Sequence, residues 1–374
     1  MMKLYFISGE ASGDLYGSRL ATAFRQENQG VKMRGWGGDL MQNAGVEIVK
    51  HYRDLAFMGF LEVLLNLRTI LKNMRYCKED VLAFKPDALV LVDYPGFNLR
   101  IAKWAKENKI RVFYYISPGV WAWKAGRVNQ IRDNVERLYT IFPFEKKFYA
   151  DRNVTVDYFG NPLAEIIGEF ASKMESKSEY IKKHSLSEKP IIAMLPGSRS
   201  QELIHILPEM LKVVKHFPEY QFVVAASNSL PNEIYEKIKK EYGITVVVND
   251  TYPLLFHARG GLIKSGTSTL EAALFKLPHV VCYKANAISL FIARRVATVN
   301  FFSLVNIIFD RLVVPELLQE EMNELRMVEE LRLLLTEGPK RKQTLAEFET
   351  LENMLKSEGV AKKVALDICK RISQ

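Results

Sequence analysis

Short apolar runs alternate with longer amphipathic stretches along the first half of the chain. "KLYFI" precedes a helical pattern near Tyr16–Asn28, and "DALVLVDY" precedes another near Asn98–Asn108. "IRVFYYIS" and "RLYTIFPF" follow, with a further helical stretch between them. Runs such as "ALVLV" lack alternation, which is typical of strands buried on both faces. The pattern therefore predicts βαβ units around a parallel sheet.

A polar, charged bridge at residues 163–189 interrupts this pattern, and the alternation then restarts at "PIIAMLPG", "QFVVAAS", "ITVVV", "GGLIKSG" and "PHVVCYK". We predict an α/β protein with two doubly wound halves, whose ligands bind outside the carboxyl ends of the strands and between the halves. The expected domains are 1–165 and 166–352. A final helix from about Asn353, within 353–374, is free to return to the first domain or to a partner.

Residues 54–74, "DLAFMGFLEVLLNLRTILKNM", are unusually apolar. Their charges, and the lack of about 18 unbroken apolar residues, argue against a membrane span. A buried core helix is the usual explanation of such a segment. We favour contact with a membrane surface, because a basic region lies nearby in the sequence. The apolar contact residues would be Met58, Phe60, Leu61 and Leu64.

Composition and charge narrow the class of protein. The 374 residues are 48% hydrophobic and 25% charged, which is typical of globular proteins and leaves room for two domains. Three cysteines without paired spacing, and an N-terminus without a secretion signal, predict a cytoplasmic protein. The net charge is +9, and residues 100–152 hold twelve Lys or Arg against five Asp or Glu. This excess attracts nucleic acid, acidic lipids or phosphorylated substrates, unless it is only a solvated face.

The first strand leads into "FISGEASGDLYG", a loop with the composition of a binding site. Its glycines, Gly9, Gly13 and Gly17, fit neither the dinucleotide fingerprint nor the P-loop. The carboxylates of Glu10 and Asp14 would also repel a phosphate. We therefore expect a ligand other than a nucleotide at this loop.

Two turns in the second half resemble anion sites at helix starts. In "MLPGSRSQEL", Gly197 allows a tight turn, Ser198 can cap the helix, and Arg199 brings donors to its positive end. A plain turn with an exposed arginine is the alternative. "LIKSGTSTLEAALFKLP" contains the second turn, which gathers hydroxyls and backbone amides at Ser265, Gly266, Thr267, Ser268 and Thr269.

This second turn could hold a diphosphate without a metal. Glu271 lies one helical turn further on, where it would repel phosphates if it pointed at them but could accept hydrogen bonds from both hydroxyls of a ribose. A capping box from Thr267 to Glu271 is the alternative. Two anion sites on successive units of one sheet favour a nucleoside diphosphate as the ligand.

Two further turns in the first half carry candidate chemistry. Asp93 ends a buried strand in "LVLVDYPGFNLRIA". An aspartate has an ordinary pKa of about 3.9, so it is ionised at neutral pH and can accept a proton. The alternative is that Asp93 caps the turn before Asn98. "YYISPGVWAWKAGRVNQI" brings aromatic and basic side chains together after the next strand. These side chains would bind a sugar face and a phosphate, or else pack in an interface: Trp121, Trp123, Lys124 and Arg127.

Several chemistries are not supported by any motif. The sequence contains no H-E-x-x-H pattern, no Asp-x-Asp pair and no Gly-x-Ser-x-Gly elbow. We therefore expect no metal site and no cofactor, and we do not predict a hydrolase.

The motifs together resemble one family over nearly the whole chain. "SGEASGD", "VDYPGFN", "SPGVWAWK", "LPGSR", "SGTSTLE" and "VPELLQ" occur in the order found in lipid-A-disaccharide synthases, which are bacterial glycosyltransferases. The resemblance implies a GT-B architecture, with two Rossmann-like halves facing a central cleft. It also implies transfer from UDP-2,3-diacylglucosamine to the 6-hydroxyl of 2,3-diacylglucosamine 1-phosphate, with inversion. The products would be a β-linked lipid A disaccharide 1-phosphate and UDP.

The resemblance also implies roles for individual residues. Asp93 matches the base, and Glu10 and Asp14 match cleft residues that hold acceptor hydroxyls or support the base. Ser12 and the 121–127 segment fall on the acceptor side. Arg199 and the Ser265–Thr269 turn would stabilise the leaving diphosphate in place of a metal, and Glu271 would bind ribose.

Three further donor-side residues match less regular motifs. Asn306 lies in "FSLVN", where the family more often has "SLPN", so Val305 replaces a proline. Glu316 and Gln319 lie in "VPELLQ".

The expected partners are the two lipid substrates, an anionic membrane surface on the cytoplasmic side of the inner membrane, and a second copy in a homodimer. Nucleic acid is not expected, because the basic residues form no recognised motif. The alternatives are another UDP-sugar enzyme of this architecture, namely a UDP-sugar 2-epimerase or a peptidoglycan glycosyltransferase. A non-catalytic, peripheral membrane protein that binds nucleotide sugars is the third alternative.

Overall fold

The computed structural model describes residues 1–374 except 56–66, 118, 124–125, 198–199, 227–231 and 285–299. The side chains at 67, 122–123, 200–202, 232–234 and 237 also lie outside the description. The chain forms two compact units: unit 1 comprises Met1–Pro162 with Ser357–Gln374, and unit 2 comprises Leu163–Lys356.

The described part of unit 1 contains a seven-stranded parallel sheet in the order β3-β2-β1-β4-β5-β6-β7. Its strands are β1 (Lys3–Ser8), β2 (Lys32–Gly37), β3 (Glu47–His51), β4 (Ala88–Val92), β5 (Arg111–Tyr115), β6 (Arg137–Thr140) and β7 (Val156–Tyr158). Its first helices are α1 (Ala11–Glu27), α2 (Asp39–Asn43), α3 (Leu67–Phe84), α4 (Pro95–Glu107), α5 (Val120–Trp123), α6 (Arg127–Asn134) and α7 (Pro143–Ala150).

The described part of unit 2 contains a six-stranded parallel sheet in the order β10-β9-β8-β11-β12-β13. Its strands are β8 (Ile191–Leu195), β9 (Gln221–Ala226), β10 (Thr245–Val248), β11 (Gly260–Lys264), β12 (His279–Tyr283) and β13 (Glu316–Leu318). Its helices are α8 (Pro162–Ala171), α9 (Lys177–Lys183), α10 (Ser200–Leu211), α11 (Asn232–Tyr242), α12 (Thr251–His257), α13 (Thr267–Leu274), α14 (Leu304–Phe309), α15 (Glu324–Leu335) and α16 (Pro339–Leu355).

The central strands are covered on both faces, as the unbroken apolar runs predict. Every residue of β4, "ALVLV", is fully buried. A parallel sheet needs helices on both faces, so its middle strands have no solvent side to carry polar residues. Each large buried aliphatic side chain contributes about 1.5–3 kcal/mol to folding. The predicted α/β class with two doubly wound halves is confirmed.

The last helix begins later than the sequence pattern predicts. α16 runs through Asn353 to Leu355, and the final helix, α17 (Val360–Ile372), starts after Gly359, whose φ of +64° breaks the helical path. α17 buries Val360, Val364, Ala365 and Ile368 within unit 1. Its Asp367 accepts a hydrogen bond of 2.7 Å from the Tyr139 hydroxyl of β6.

The polar bridge at 163–189 contains two helices, which corrects the interpretation of that stretch. α8 buries Leu163, Ile166 and Ile167. α9 begins with a capping box, in which Ser176 accepts from the Glu179 backbone N–H and Glu179 accepts from the Ser176 backbone N–H. Their exposed faces carry the charges that mask the helical pattern.

Four strands have no counterpart in the predicted pattern: β2, β3, β7 and β13. β2 contains two glycines and a lysine, and β3 has no fully buried residue. These strands lack the continuous apolar run that marks a central strand, so only their pairing partners identify them.

No helix among the described residues is both long and apolar enough to cross a membrane.

Candidate active site

The first candidate site lies where the strand order of unit 1 reverses. β1 and β4 are neighbours, and Ser8 pairs with Val92 at their carboxyl ends. The chain leaves β1 towards one edge of the sheet and later reaches β4 on the other side. Such a switch point opens a crevice outside the strands. It brings the Gly9–Glu10 turn next to Asp93, which lies more than 80 residues away in sequence.

Asp93 and Tyr94 have left-handed backbone conformations, with φ of 46° and 51°. Each costs about 1–2 kcal/mol for a residue with a side chain. The Asp93 carbonyl offsets part of this cost by accepting from the Asn98 amide at 2.7 Å and the Tyr114 hydroxyl at 2.6 Å. This geometry excludes the simple capping role, because Tyr94 occupies the cap position of α4 and no side chain caps the helix there.

The Asp93 carboxyl is an unusual acid. Burial and the nearby negative charge of Glu10 raise its pKa to about 7, although the Tyr94 backbone N–H opposes the rise by donating to the carboxylate. Burial disfavours the ionised form, and a like charge disfavours it further. At neutral pH the group is therefore a stronger base than an ordinary aspartate, and a substantial fraction of it remains ionised.

The glycine-rich first loop is explained by close packing. The Tyr94 ring covers Gly9 so closely that a Cβ on Gly9 would lie 2.5 Å from it. Ser12 is exposed on the first turn of α1, and the Glu10 backbone carbonyl accepts from the Asp14 N–H at 2.9 Å. The packing explains this glycine without a phosphate.

Asp14 has a different position from the one expected of a residue that contacts an acceptor. Its carboxylate is 3% exposed and accepts from the backbone N–H groups of Gly38 at 2.8 Å, Leu40 at 3.1 Å and Met41 at 3.0 Å. These bonds hold the start of α2 against α1. We therefore propose that Asp14 supports the loop after β2 and does not contact the acceptor directly.

Trp121 packs in the core of unit 1. It is 9% exposed, and its ring meets those of Phe142 and Phe144 edge to face at 6.3 Å and 5.1 Å. Its side chain also hydrogen-bonds the buried Glu145, whose pKa burial raises to about 7. Arg127 is half-buried near the Tyr114 phenol. The Trp123 side chain and Lys124 lie outside the described residues.

The second candidate site lies at the corresponding reversal in unit 2. β8 and β11 are neighbours there, and Leu195 pairs with Ile263. The loop after β8 contains Ser198 and Arg199, which lie outside the described residues. The loop after β11 leads into α13, whose cap position is Gly266, with φ of 158° and no side-chain cap. The capping-box alternative is therefore wrong.

The hydroxyls of this turn face different ways. The Ser265 hydroxyl donates to the Phe302 carbonyl at 2.7 Å, and that of Thr269 donates to the Gly266 carbonyl at 2.8 Å. Thr267 is exposed at the first position of α13. Ser265 and Thr269 thus shape the turn, while Thr267 and the backbone amides at the helix start are available to an anion.

Lys264, which is not among the site residues that the motifs predict, ends β11. Its ammonium nitrogen lies 3.9 Å from the point where a Cβ of Gly266 would be. A positive charge at this position favours an anion at the turn. The signal for Lys264 in the sequence is a single charged residue at the end of the apolar run "GGLIK".

Glu271 lies four residues after Thr267 and therefore on the same face of α13. It is half-buried, and its Oε1 accepts from the Tyr252 hydroxyl at 3.1 Å. Burial raises the pKa of this carboxyl, and the bond from Tyr252 opposes the rise.

Asn306 and Glu316 form hydrogen bonds with each other and with nearby backbone groups of the protein. Asn306 is fully buried; its amide donates to the Val314 carbonyl at 2.9 Å and to Glu316 at 2.8 Å. Glu316 also accepts from the backbone N–H groups of Phe302 and Ser303, at 2.9 and 2.8 Å. Since Phe302 accepts the bond from Ser265, the network supports the turn from behind. Val305 is fully buried on the same helix, α14, and Gln319 is 7% exposed.

Within the described residues, no group of three or more histidine, cysteine, aspartate or glutamate side chains is arranged to hold a metal ion.

Comparison with known proteins identifies the family. A family model described as lipid-A-disaccharide synthetase matches residues 4–368. A lipid-A-disaccharide synthase of Syntrophus aciditrophicus is 36% identical over 368 residues, covering 96% of this chain and 95% of the relative. One from Coxiella burnetii is 35% identical over 365 residues, covering 96% of each.

Solved structures share the fold at low sequence identity. UDP-GlcNAc 2-epimerase from Neisseria meningitidis, solved with UDP-GlcNAc, has a TM-score of 0.65 at 13% identity, covering 99% of this chain and 100% of that one. The calicheamicin glycosyltransferase CalG4 has a TM-score of 0.60 at 13% identity, covering 100% and 98%. These likenesses establish the GT-B fold alone. The family match and the close relatives go further: the chain belongs to the lipid-A-disaccharide synthase family and is a UDP-sugar glycosyltransferase of lipid A biosynthesis.

Proposed function

We propose that this protein transfers the sugar of UDP-2,3-diacylglucosamine to the 6-hydroxyl of 2,3-diacylglucosamine 1-phosphate. The products are lipid A disaccharide 1-phosphate and UDP. The acceptor oxygen forms a bond to the anomeric carbon while the bond to the UDP oxygen breaks on the opposite face. The configuration at this carbon is thereby inverted.

The observation that carries the proposal is the Asp93 carboxyl at the switch point of unit 1. An inverting transfer needs one base to take the proton from the attacking hydroxyl. The pKa of about 7 makes Asp93 suited to this task near neutral pH, because general-base catalysis is most efficient when the two values match. Glu10 supports the base through its charge, and it is also suited to accept a hydrogen bond from an acceptor hydroxyl.

Unit 2 is proposed to bind the UDP group. The backbone amides at the start of α13, the Thr267 hydroxyl and the Lys264 ammonium would contact the diphosphate, with Ser198 and Arg199 joining from the loop after β8. Fixed donors of this kind stabilise the charge that develops on the leaving group, so no metal is required. Glu271 would bind the ribose, and the Asn306–Glu316 network, followed by Gln319, would hold the turn in shape.

Unit 1 is proposed to bind the acceptor at a membrane surface. Arg127 is a candidate for its phosphate, and Ser12, Trp123 and Lys124 belong to the sequence motifs that follow β1 and β5. The described start of α3 supports membrane contact: Arg68, Lys72 and Arg75 recur at one-turn intervals, and Leu71 between them is 58% exposed. A basic face with an exposed apolar residue fits anionic lipid on the cytoplasmic side of the inner membrane. Met58, Phe60, Leu61 and Leu64, which lie outside the described residues, would extend this contact.

The test measures UDP release from UDP-diacylglucosamine in detergent micelles that contain EDTA, with and without diacylglucosamine 1-phosphate. We expect release only with the acceptor, together with a disaccharide 1-phosphate product. Release without the acceptor would indicate hydrolysis or epimerase-like chemistry instead.

The Asp93→Asn variant tests the base directly. We expect kcat to fall at least a thousandfold, because no side chain then takes the proton from the attacking hydroxyl. This loss is in the upper part of the usual contribution of a general base, about 10²–10⁴ in rate. UDP binding should be retained, since Asp93 belongs to unit 1 and the donor groups to unit 2. An active Asp93→Asn enzyme would reject this assignment.

A further inference from the structure

Tyr252 belongs to none of the motifs that mark the donor site, yet it contacts one of them. It lies in the first turn of α12, which follows β10, at the carboxyl end of the parallel sheet where the β11 turn also lies. Its hydroxyl donates a hydrogen bond to Glu271 Oε1 at 3.1 Å. Nineteen residues separate the two positions, so the contact arises from the packing of α12 beside α13.

Glu271 occupies the place expected for a group that contacts a ribose. It lies one turn along α13 from Thr267, which corresponds to a rise of about 6 Å. A diphosphate at the helix start would therefore have its neighbouring sugar beside Glu271. A carboxylate can accept from both ribose hydroxyls only if its plane has the correct orientation.

The Tyr252 ring is itself held by other aromatic rings. Phe170 of α8 meets it edge to face at 5.2 Å, and Phe275, which follows α13, meets it at 5.3 Å and 63°. These two ring contacts limit the rotation of the phenol. The hydroxyl therefore has a fixed direction towards Glu271 and reduces the freedom of that side chain.

We propose that Tyr252 is a positioning residue that orients the Glu271 carboxylate towards the ribose hydroxyls, and that it thereby sets the preference of the enzyme for ribonucleotide over deoxyribonucleotide donors. This inference rests on the proposed function, in which Glu271 binds the ribose of UDP.

The test compares dissociation constants for UDP and 2′-deoxy-UDP by calorimetry. The proteins are the full-length wild type, Tyr252→Phe, Glu271→Gln and the double variant. We expect the wild type to bind UDP more tightly than 2′-deoxy-UDP. In Tyr252→Phe the ratio of the two dissociation constants should fall roughly threefold to tenfold, because the variant loses one hydrogen bond to a charged group that acts on the ribose only indirectly. The affinity for 2′-deoxy-UDP should fall less than that for UDP, because this nucleotide keeps only its 3′-hydroxyl as a donor to Glu271. The double variant should lose no more than Glu271→Gln, since the tyrosine acts through the glutamate.

Steady-state kinetics provide a second readout. Tyr252→Phe should raise KM for the donor severalfold and leave kcat unchanged, because ribose binding is the same in the ground state and the transition state. Tyr242→Phe is the matched control: this tyrosine of α11 is 46% exposed, and its replacement should leave the UDP preference intact.

The outcomes separate this inference from the function on which it rests. A Tyr252→Phe enzyme with the full UDP preference, or with equal losses for both nucleotides, would overturn the positioning role and leave only a packing role. If Glu271→Gln keeps the preference, the ribose assignment fails and the inference fails with it. Absence of UDP binding in the wild type would refute the proposed function itself.

Discussion

At the scale of the residue, Asp93 combines two features that each cost free energy. Its backbone has a positive φ, and its carboxyl is buried beside Glu10. Strained residues of this kind persist only where the surroundings hold them, as Asn98 and Tyr114 do here. Neither feature improves stability. Both suit a group that must accept a proton in a defined direction.

We expect kcat/KM to fall about tenfold per pH unit below pH 7, because Asp93 must be ionised to act as a base and its pKa is raised to about 7. Glu10→Gln removes the neighbouring negative charge and should lower the pKa of Asp93. The acidic limb of the profile should therefore move to lower pH.

The measurement is kcat/KM of the wild type and Glu10→Gln between pH 5 and 9. Glu107→Gln, at an exposed position at the end of α4, is the control and should leave the profile unchanged. A limb that does not move in Glu10→Gln would show that the two carboxyls do not interact.

At the scale of the element, the turn from β1 into α1 and the turn from β4 into α4 act as one structure. The Tyr94 ring of the second turn lies against the backbone of Gly9 in the first. Any side chain at Gly9 would have to push the ring, and with it the strained Asp93–Tyr94 backbone. The geometry of both turns thus depends on Gly9, which stood out in the sequence only as part of a candidate binding loop.

Gly9→Ala should destabilise the protein by about 1–3 kcal/mol, as is usual for overpacking, and should reduce kcat/KM more than tenfold. Thermal unfolding and steady-state kinetics measure the two effects. Gly96→Ala is the matched control, since a Cβ there meets no atom within 4 Å. It should stay within about 1 kcal/mol of wild type, the range of helix propensities. Equal behaviour of the two variants would contradict the packing argument.

At the scale of the whole molecule, the net charge of +9 gives an electrostatic attraction to anionic surfaces. The described face of α3 concentrates part of it at Arg68, Lys72 and Arg75, around the exposed Leu71. Clustered basic residues attract an anionic membrane more strongly than the same charge spread over the surface, because they approach the lipid headgroups together. Each basic residue near such a surface contributes about 1 kcal/mol.

Reversing these three charges to glutamate should reduce binding to vesicles with anionic lipid at least a hundredfold and leave UDP affinity unchanged. Sedimentation with vesicles of neutral and anionic composition measures this. Reversal of Lys215, Lys240 and Lys342, exposed lysines of unit 2, changes the net charge equally and is the control. If both triple variants bind equally, net charge and not the α3 face governs the interaction.

The sequence by itself determined the parts of this protein that depend on local patterns. Unbroken apolar runs identify the central strands, because both faces of such strands are buried, and the turns at Asp93 and Ser265–Thr269 follow directly from the ends of those runs. Four strands, β2, β3, β7 and β13, were not predicted, because only pairing with a partner strand identifies them. Helices α8 and α9 were not predicted, because charges on their exposed faces obscured the apolar pattern of their buried faces.

Tertiary structure alone decided which side chains meet. Glu10 approaches Asp93, Tyr252 reaches Glu271, and Asp14 turns away to hold α2, all through strand order and helix packing. Likewise, burial changed the proposed base from an ordinary aspartate into one with a pKa of about 7, and packing made Asn306 and Glu316 a support for the Ser265–Thr269 turn. The physical reason is common to all of these cases: charge, burial and hydrogen bonding depend on distances between residues far apart in the chain, and no local pattern contains those distances.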